Sequence, residues 1–195
     1  MSLLTTGSQT IGPYLHIGTD WLNTPNLVGD KVTGTPITIE GRMIDGNGAP
    51  VGDGLVEIWQ ANAHGKLAHS EDQRDLPTEP GFRGWGRVPT DENGRFQFTT
   101  VKPGRVPSPV PGAALQAAHI AVTIFGRGLT KQLVSRIYFP DGEGHAEDFV
   151  LKQVPEQRRA TLVARAIAGR PNAYEWNIVL QGDASGQGET VFFDF

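Results

Sequence analysis

The chain has 195 residues, a formal net charge of −4 and 38% hydrophobic residues, which fits one domain with a substantial core. It contains no cysteine. This excludes disulfides, thiolate metal sites and a cysteine nucleophile, and it favours a cytoplasmic location. The negative charge argues against nucleic acid as a partner. No apolar run is long enough to span a membrane, and the first residues do not read as a secretory signal, so we expect no membrane association.

Residues 1–35 show no clear periodicity but contain several large apolar side chains. Such side chains need a surface to cover them. We therefore expect an N-terminal arm that belongs to a single domain spanning 1–195 and packs on a partner subunit.

The 25 glycines and 14 prolines indicate many turns, and hence many short strands. Alternating, β-branched and aromatic runs predict where these strands lie. The predicted strands cover 36–45, 55–61, 95–100, 119–125, 135–139, 174–181 and 189–195. Residues 62–90 are expected to form a long irregular excursion, a kind of loop that usually serves function or an interface.

One helix is predicted over 155–168, where Pro155 opens an Ala- and Arg-rich segment that ends at Gly169. Many short strands with a single late helix are typical of a β-sandwich. The predicted fold is all-β: a β-sandwich of about eight strands with long inserted loops, an N-terminal arm and one late helix.

The histidines form no recognisable ligand pattern. His64 and His69 lie near Glu71 and Asp72, but their spacing favours a solvated loop over a metal cluster. His119 stands where a Pro- and Gly-rich loop becomes an apolar strand. The plainest interpretation is a histidine bonded to a backbone carbonyl; a metal ligand is the alternative.

Arg127 lies between two glycines, which leave its guanidinium unobstructed. Arginine pairs with carboxylates through two parallel hydrogen bonds, so Arg127 is a candidate for binding an anion. A turn arginine in solvent is the simpler alternative. Composition and spacing thus predict a β-sandwich without a self-contained active site.

Several motifs nevertheless resemble, in order and over nearly the whole chain, those of the intradiol ring-cleaving dioxygenases. They are Leu55–Gly65 (LVEIWQANAHG), Gly84–Arg87 (GWGR), Thr90–Gly94 (TDENG), Val101–Gly104 (VKPG) and Ala118–Ile120 (AHI). The resemblance implies a β-sandwich of a family whose members hold non-haem Fe(III) with two tyrosines and two histidines.

The ligand positions implied by this resemblance depart from the family. Leu67 and Val106 occupy the two tyrosine positions, His119 keeps the first histidine, and Ala121 replaces the second. Gln116 stands where the family has an arginine. Fe(III) prefers anionic oxygen ligands, and Leu67, Val106 and Ala121 have no donor atom. We predict that this chain binds no catalytic iron and that the region is repacked.

The resemblance implies the non-metal subunit of a heteromeric family member. The partner is then an iron-bearing beta subunit of the same fold. The holoenzyme uses O2 to cleave 3,4-dihydroxybenzoate to 3-carboxy-cis,cis-muconate, with Fe(III) held by the partner. On the family pattern, Gly12, Pro13 and Tyr14 of the arm and Arg127 line the substrate pocket at the interface, and no catalytic residue lies on this chain.

Two other functions stay open on the residues alone. One is a self-sufficient metal enzyme that uses His64, His69 and His119 with carboxylates. The other is a non-enzymatic β-sandwich that binds a ligand such as carbohydrate, which the four tryptophans would permit. Trp59 and Trp176 lie in alternating segments, however, and are predicted to be core residues.

Overall fold

The structure is a computed structural model that describes residues 12, 14–183, 186 and 188–194; for Tyr14 and His16 it describes the backbone alone. The strands are β1 (Pro36–Ile44), β2 (Leu55–Trp59), β3 (Trp85–Pro89), β4 (Arg95–Val101), β5 (His119–Phe125), β6 (Leu133–Tyr138), β7 (Arg165–Ala166), β8 (Ala173–Glu175) and β9 (Ile178–Val179). The helices are α1 (Tyr14–Ile17), α2 (Phe149–Gln153) and α3 (Glu156–Arg159). No helix in this part of the chain is long and apolar enough to cross a membrane.

The strands form two sheets. One has the order β4-β1-β8-β7, with β9 also paired to β1, and the other has the order β3-β2-β5-β6. Alternate residues of β1 and β5 are buried, because successive side chains of a strand point to opposite faces. Their buried residues belong to one hydrophobic cluster to which both sheets contribute. The predicted β-sandwich is confirmed.

The core determines which residues of β5 face outward. Ile120, Val122 and Ile124 have no exposed surface and belong to the hydrophobic cluster between the sheets. His119 and Ala121 alternate with them and are only partly buried. Both therefore project from the outer face of the second sheet, where loops can reach them.

The expectation of an irregular segment throughout 62–90 is wrong at its end, where β3 pairs antiparallel with β2. Gly86 and Pro89 are typical of loops, so the sequence predicted a loop here. Pro89 is tolerated because it ends an edge strand. Gly86 has a packing reason, since a Cβ there would lie 2.5 Å from Leu27 Cδ1.

Part of the predicted arm belongs to this chain's own sandwich. Leu27 is 3% exposed, and its N–H donates to the Thr99 carbonyl at 2.9 Å. Val28 forms a bridge with Phe82. The expectation that all of 1–35 packs on a partner is therefore wrong for these residues, and partner packing stays a prediction for the segment that precedes them.

The helix predicted over 155–168 is also wrong in extent. The structure has the single turn of α3, then a 3₁₀ turn at Ala160–Leu162, then β7. Leu162 is fully buried, and the Ala164 N–H donates to the Tyr138 carbonyl at 2.9 Å instead of continuing a helix. Tertiary packing overrides the helix propensity of the segment.

The strand predicted over 174–181 is interrupted at Trp176, whose side chain is 2% exposed and confirmed as core. Its N–H donates to the Glu40 carbonyl at 2.9 Å. The backbone approaches β1 so closely here that a Cβ on Gly41 would lie 1.8 Å from the Trp176 carbonyl oxygen. Two short strands, β8 and β9, therefore replace one long strand.

The strand predicted over 189–195 does not form in the described part of this segment. Phe193 makes a single bridge to Val134, with its N–H donating to the Val134 carbonyl at 2.8 Å. Phe195 lies outside the described residues. The segment is anchored to the edge of the second sheet without extending it.

The contact between Gly41 and Trp176 generates a stability prediction. Gly41→Ala should lower the free energy of unfolding by about 3 kcal/mol or more, because the clash is with backbone that cannot yield. In a chain of this length, that corresponds to a fall in Tm of roughly 6 °C or more. Gly126→Ala is the matched control, since its new Cβ would meet only the Leu129 side chain at 3.6 Å. Equal Tm values for the two variants would contradict the prediction.

Candidate functional site

The outer face of the second sheet is organised by cross-strand pairs. Ala121 of β5 lies opposite Trp59 of β2 on one side and opposite Arg136 of β6 on the other. In the neighbouring row, His119 lies opposite Tyr138. Directly opposed residues share a face and have Cβ atoms about 5 Å apart. The register therefore gathers these five side chains without any sequence motif that joins them.

Loops over this face leave an open cavity of about 1040 Å³. Trp59, Leu67, Val106 and Pro107 supply apolar surface, and Gln116 supplies a polar side chain. The expectation of a repacked region is wrong at Leu67 and Val106, because both residues line this open space. The assignment of Trp59 to the core is also wrong, since its side chain lines this cavity.

Leu67 is held in place by a buried carboxylate in the excursion. Asp72 accepts the Leu67 N–H at 2.8 Å and pairs with the Arg74 guanidinium at 2.5 Å. The hydrogen bond from Arg74 holds the pKa of Asp72 well below its usual value. Lys66 adds a bond from its Nζ to the Asp72 carbonyl at 2.6 Å. These bonds fix one wall of the cavity.

Gln116 links the opposite wall to the sheet. Its N–H donates to the Val106 carbonyl at 2.8 Å, and its Nε2 donates to the Pro107 carbonyl at 2.6 Å. Its Oε1 accepts from Arg136 Nη1 at 2.6 Å. The resemblance places an arginine at position 116. This chain lacks that guanidinium, but the guanidinium of Arg136 on β6 donates to the Gln116 side chain.

His119 is held as one tautomer. Its Nδ1 lies 2.8 Å from the Ala117 carbonyl, so the expected bond to a backbone carbonyl is confirmed. A carbonyl can only accept, so Nδ1 carries the proton and Nε2 the lone pair. Burial first, and then the positive charge of Arg136, lower the pKa of His119 to about 4; the bond to the Ala117 carbonyl and the charge of Asp148 oppose the shift. The imidazole is therefore neutral at pH 7.

A buried carboxylate that the sequence did not indicate is hydrogen-bonded to the segment before His119 and to Tyr138. Asp148 has no exposed surface, and its side chain accepts the N–H groups of Ala117 and Leu151, each at 2.8 Å. The second bond caps α2. The Tyr138 hydroxyl reaches Asp148 at 3.4 Å and accepts from Arg136 at 3.3 Å, and burial raises the pKa of Tyr138 to about 12. The signal in the sequence was an aspartate, a preferred N-cap residue, directly before the apolar residues that begin α2.

The four ligand positions implied by the family do not fit an Fe(III) site. Leu67, Val106 and Ala121 supply no donor atom, and His119 supplies one neutral imidazole. Within the described residues, no group of three or more His, Cys, Asp or Glu side chains is placed to hold a metal ion.

His64 and His69 serve local structure. His64 Nε2 lies 3.0 Å from Thr33 Oγ1, and His69 Nδ1 accepts the Glu71 N–H at 3.2 Å. The rings of His69 and Trp59 meet edge to face at 6.4 Å. The structure thus gives each of these histidines a separate partner, and it does not join them to His119.

Of the predicted substrate-pocket residues, Arg127 lies away from His119. Arg127 follows β5 at the end opposite His119, about 20 Å or more away along the strand. Its side chain is 75% exposed, and its Nε lies 2.9 Å from Asp53 Oδ2. Gly12 is exposed, Tyr14 begins α1, and Pro13 lies outside the described residues. The role of these four residues stays a prediction.

The lowered pKa of His119 predicts an acid-dependent loss of stability. The unfolded chain takes up this proton near pH 6.5, whereas the folded chain takes it up only near pH 4. The free energy of unfolding should therefore fall as the pH drops from about 6.5 to about 4. His119→Asn should remove that part of the fall, measured as urea midpoints at pH 7 and pH 4.5. His64→Asn is the control, and identical pH profiles for wild type and His119→Asn would refute the prediction.

Comparison with known proteins supplies the family context. A family model described as Dioxygenase matches residues 12–182. Among curated relatives from Burkholderia cepacia, the alpha chain of protocatechuate 3,4-dioxygenase is 38% identical over 99% of this chain and 98% of its own length. The beta chain of that enzyme is 36% identical over 90% of this chain and 75% of its own length.

A solved structure agrees with these similarities. The 3-chlorocatechol 1,2-dioxygenase of Rhodococcus opacus 1CP superimposes with a TM-score of 0.62 at 25% identity. The match covers 79% of this chain and 63% of that chain. The similarity therefore includes the sandwich as well as the motifs in its loops.

Proposed function

Because this chain belongs to the intradiol ring-cleaving dioxygenase family, we propose that it is the iron-free subunit of a heteromeric enzyme of the protocatechuate 3,4-dioxygenase type. One observation carries the proposal. The chain matches an alpha chain over almost its full length, yet three of the four ligand positions have no donor atom. The family as a whole uses non-haem Fe(III), so an enzyme containing this chain needs another source of the metal site.

The proposed source is a beta subunit of the same fold that holds the Fe(III). Similarity to a beta chain over 90% of this chain supports two subunits built on one sandwich. The assembled enzyme cleaves 3,4-dihydroxybenzoate between its hydroxyl-bearing carbons, and both atoms of O2 enter the product, 3-carboxy-cis,cis-muconate. The iron, when bound, supplies a Lewis acid for the two hydroxyl oxygens. The absence of cysteine fits an assembly that works in the cytoplasm.

This chain contributes its arm to the interface. Ile17 is 66% exposed and Trp21 is 80% exposed, and large apolar side chains this exposed are typical of an interface. The Arg87 guanidinium, almost fully buried, donates to the Leu15 carbonyl at 3.4 Å and ties the arm to the sandwich where it departs. Gly12 lies just beyond this anchor.

Gly12, Pro13 and Tyr14 of the arm complete the wall of the partner's substrate cavity. Glycine and proline together offer a surface with little side chain, and proline restricts its backbone, which suits the flat face of an aromatic ring. Tyr14 adds an aromatic ring to the same wall. Proline lowers the conformational cost of ordering this segment, because its φ angle is already restricted.

Arg127 adds positive potential for the carboxylate of the substrate. Its partner Asp53 is 2.9 Å away, but the Arg127 side chain is 75% exposed. An exposed ion pair of this kind contributes about 0–1 kcal/mol, so the guanidinium can exchange Asp53 for a substrate anion at little cost. Such an exchange becomes favourable when the new carboxylate is sheltered at an interface.

The function is tested by producing the chain alone and with an iron-bearing beta chain. We expect the chain alone to be colourless and to lack stoichiometric iron. The complex should be red-brown, from charge transfer between phenolate and Fe(III), and should consume O2 with 3,4-dihydroxybenzoate. Metal analysis and an oxygen electrode provide the readouts. Tightly held, stoichiometric iron in the isolated chain would rule out the proposal, and so would the failure of the two chains to associate.

The role of Arg127 is tested in the complex with Arg127→Ala. We expect unchanged iron content and a fall in kcat/KM of about tenfold or more, since a sheltered charge-assisted bond contributes about 1.5–3 kcal/mol. Asp53→Asn is the matched variant, because it removes the competing carboxylate and keeps the guanidinium. Its kcat/KM should equal or exceed that of the wild type. Wild-type kinetics for Arg127→Ala would remove Arg127 from the site.

A further inference from the structure

The sequence contains two Asn-Gly pairs, and both lie in turns of the same design. The first turn, 45–48, holds Asn47 before a glycine, and the second turn, 91–94, holds Asn93 before a glycine. In each, an aspartate side chain accepts the asparagine N–H, at 2.8 Å in the first turn and 2.9 Å in the second. The two glycines have φ angles of 78° and 71°. The turns therefore differ in their surroundings more than in their own geometry.

Asparagine before glycine is open to a specific reaction. The glycine nitrogen attacks Cγ of the asparagine side chain, the C–N bond of the side-chain amide breaks, and ammonia leaves with the proton of the glycine N–H. The cyclic imide that results takes up a water molecule at either carbonyl and becomes aspartate or isoaspartate. Glycine favours the attack because it has no Cβ to crowd the nitrogen. The reaction needs a turn that can open, since the glycine nitrogen must leave its place to reach Cγ.

The second turn is enclosed by its neighbours. Gly94 is buried, and a Cβ there would lie 2.5 Å from the Met43 carbonyl oxygen. Its N–H donates to the Asp91 carbonyl at 2.8 Å, and its carbonyl accepts the Met43 N–H at 2.8 Å. Arg42 Nε adds a bond to the Asn93 carbonyl at 3.1 Å. Opening this turn therefore breaks bonds to β1 as well as bonds of its own.

The tip of the first turn is exposed to solvent. Asn47 and Gly48 are both exposed, and a Cβ on Gly48 would have nothing within 4 Å. The Gly48 N–H donates to the Asp45 carbonyl at 3.1 Å, a longer bond than its counterpart in the second turn. In the part of the chain that the structure describes, no donor reaches the carbonyl of Asn47 or Gly48. Opening the tip therefore breaks only bonds within 45–49.

We infer that Asn47 is a modification site that converts spontaneously to aspartate and isoaspartate in the folded chain, whereas Asn93 is protected by its packing. Conversion adds a negative charge to an exposed turn, and isoaspartate also lengthens the backbone there by a carbon atom. The chain thus carries a time-dependent change of charge on the surface that follows β1. The reaction needs only water and uses no residue of the proposed substrate cavity, so the inference does not depend on the proposed function.

The test incubates the full chain at mildly alkaline pH in water enriched in heavy oxygen, which marks only the acid that forms during the incubation. Trypsin then separates the two sites, because cleavage after Arg42 and after Arg87 places them on different peptides. Mass spectrometry of these peptides gives the rate at each site. We expect conversion at Asn47 to be at least about tenfold faster than at Asn93, because the first turn opens more readily. Equal rates at the two sites in the folded chain would overturn the inference.

The same measurement in guanidinium chloride separates the effect of packing from that of local sequence. In the unfolded chain neither turn is enclosed, so the two rates should agree within about threefold. A ratio that stays unchanged in guanidinium chloride would overturn the inference, because the local sequence and not the packing would then set the rates.

Asn47→Gln is the matched variant, since a longer side chain forms the cyclic imide poorly. The peptide that carries Asn47 also contains Asn62, so this variant assigns the reaction to one position. We expect it to abolish conversion in that peptide and to leave the rate at Asn93 unchanged. Conversion that persists in the peptide of the Asn47→Gln chain would overturn the assignment of the site to Asn47.

Discussion

The antiparallel register of β5 is the constraint on which this surface depends. Burial of Ile120, Val122 and Ile124 against the first sheet sets that register, because a slip by one residue would turn all three outward. The same register then places Ala121 opposite Arg136 on the other face. A strong hydrophobic requirement on one side of the strand thus decides which polar groups meet on the other.

What meets there is a hydrogen-bonded network in place of a metal centre. Gln116, Arg136, Tyr138 and Asp148 form a chain of bonds from the loop over the cavity to the start of α2. Buried polar groups are tolerable when each finds a partner, and such a network makes the fold rigid. The network gives the polar groups of this face hydrogen-bond partners within the chain. His119 keeps the tautomer that leaves the lone pair on Nε2, but the other three ligand positions have no donor atom.

The two ends of β5 have therefore taken different roles. Near His119, the face carries Gln116 and the Arg136 guanidinium that donates to it and, among the described residues, no set of metal ligands. At the other end, Arg127 is exposed and loosely paired with Asp53, a condition suited to meeting an anion from outside the chain. In the proposed enzyme, the scaffold of this chain supports a neighbouring site through its surface, while three of its own four ligand positions have no donor atom for a metal.

The sequence by itself determined the chemistry of single positions and the stronger local patterns. The alternation in 119–125 predicted β5 with its bounds, and the side chains at 67, 106 and 121 showed the loss of metal ligands, because donor atoms are a property of the residue alone. The tertiary structure decided the features that depend on distant partners. Packing of Leu162 and the bond from Ala164 to Tyr138 ended the expected helix. Pairing with β2 made a strand of the Gly-rich segment at the end of 62–90. The position of Arg136 beside Gln116 came from strand register, because residues far apart in the chain meet only when the core has fixed how the strands align.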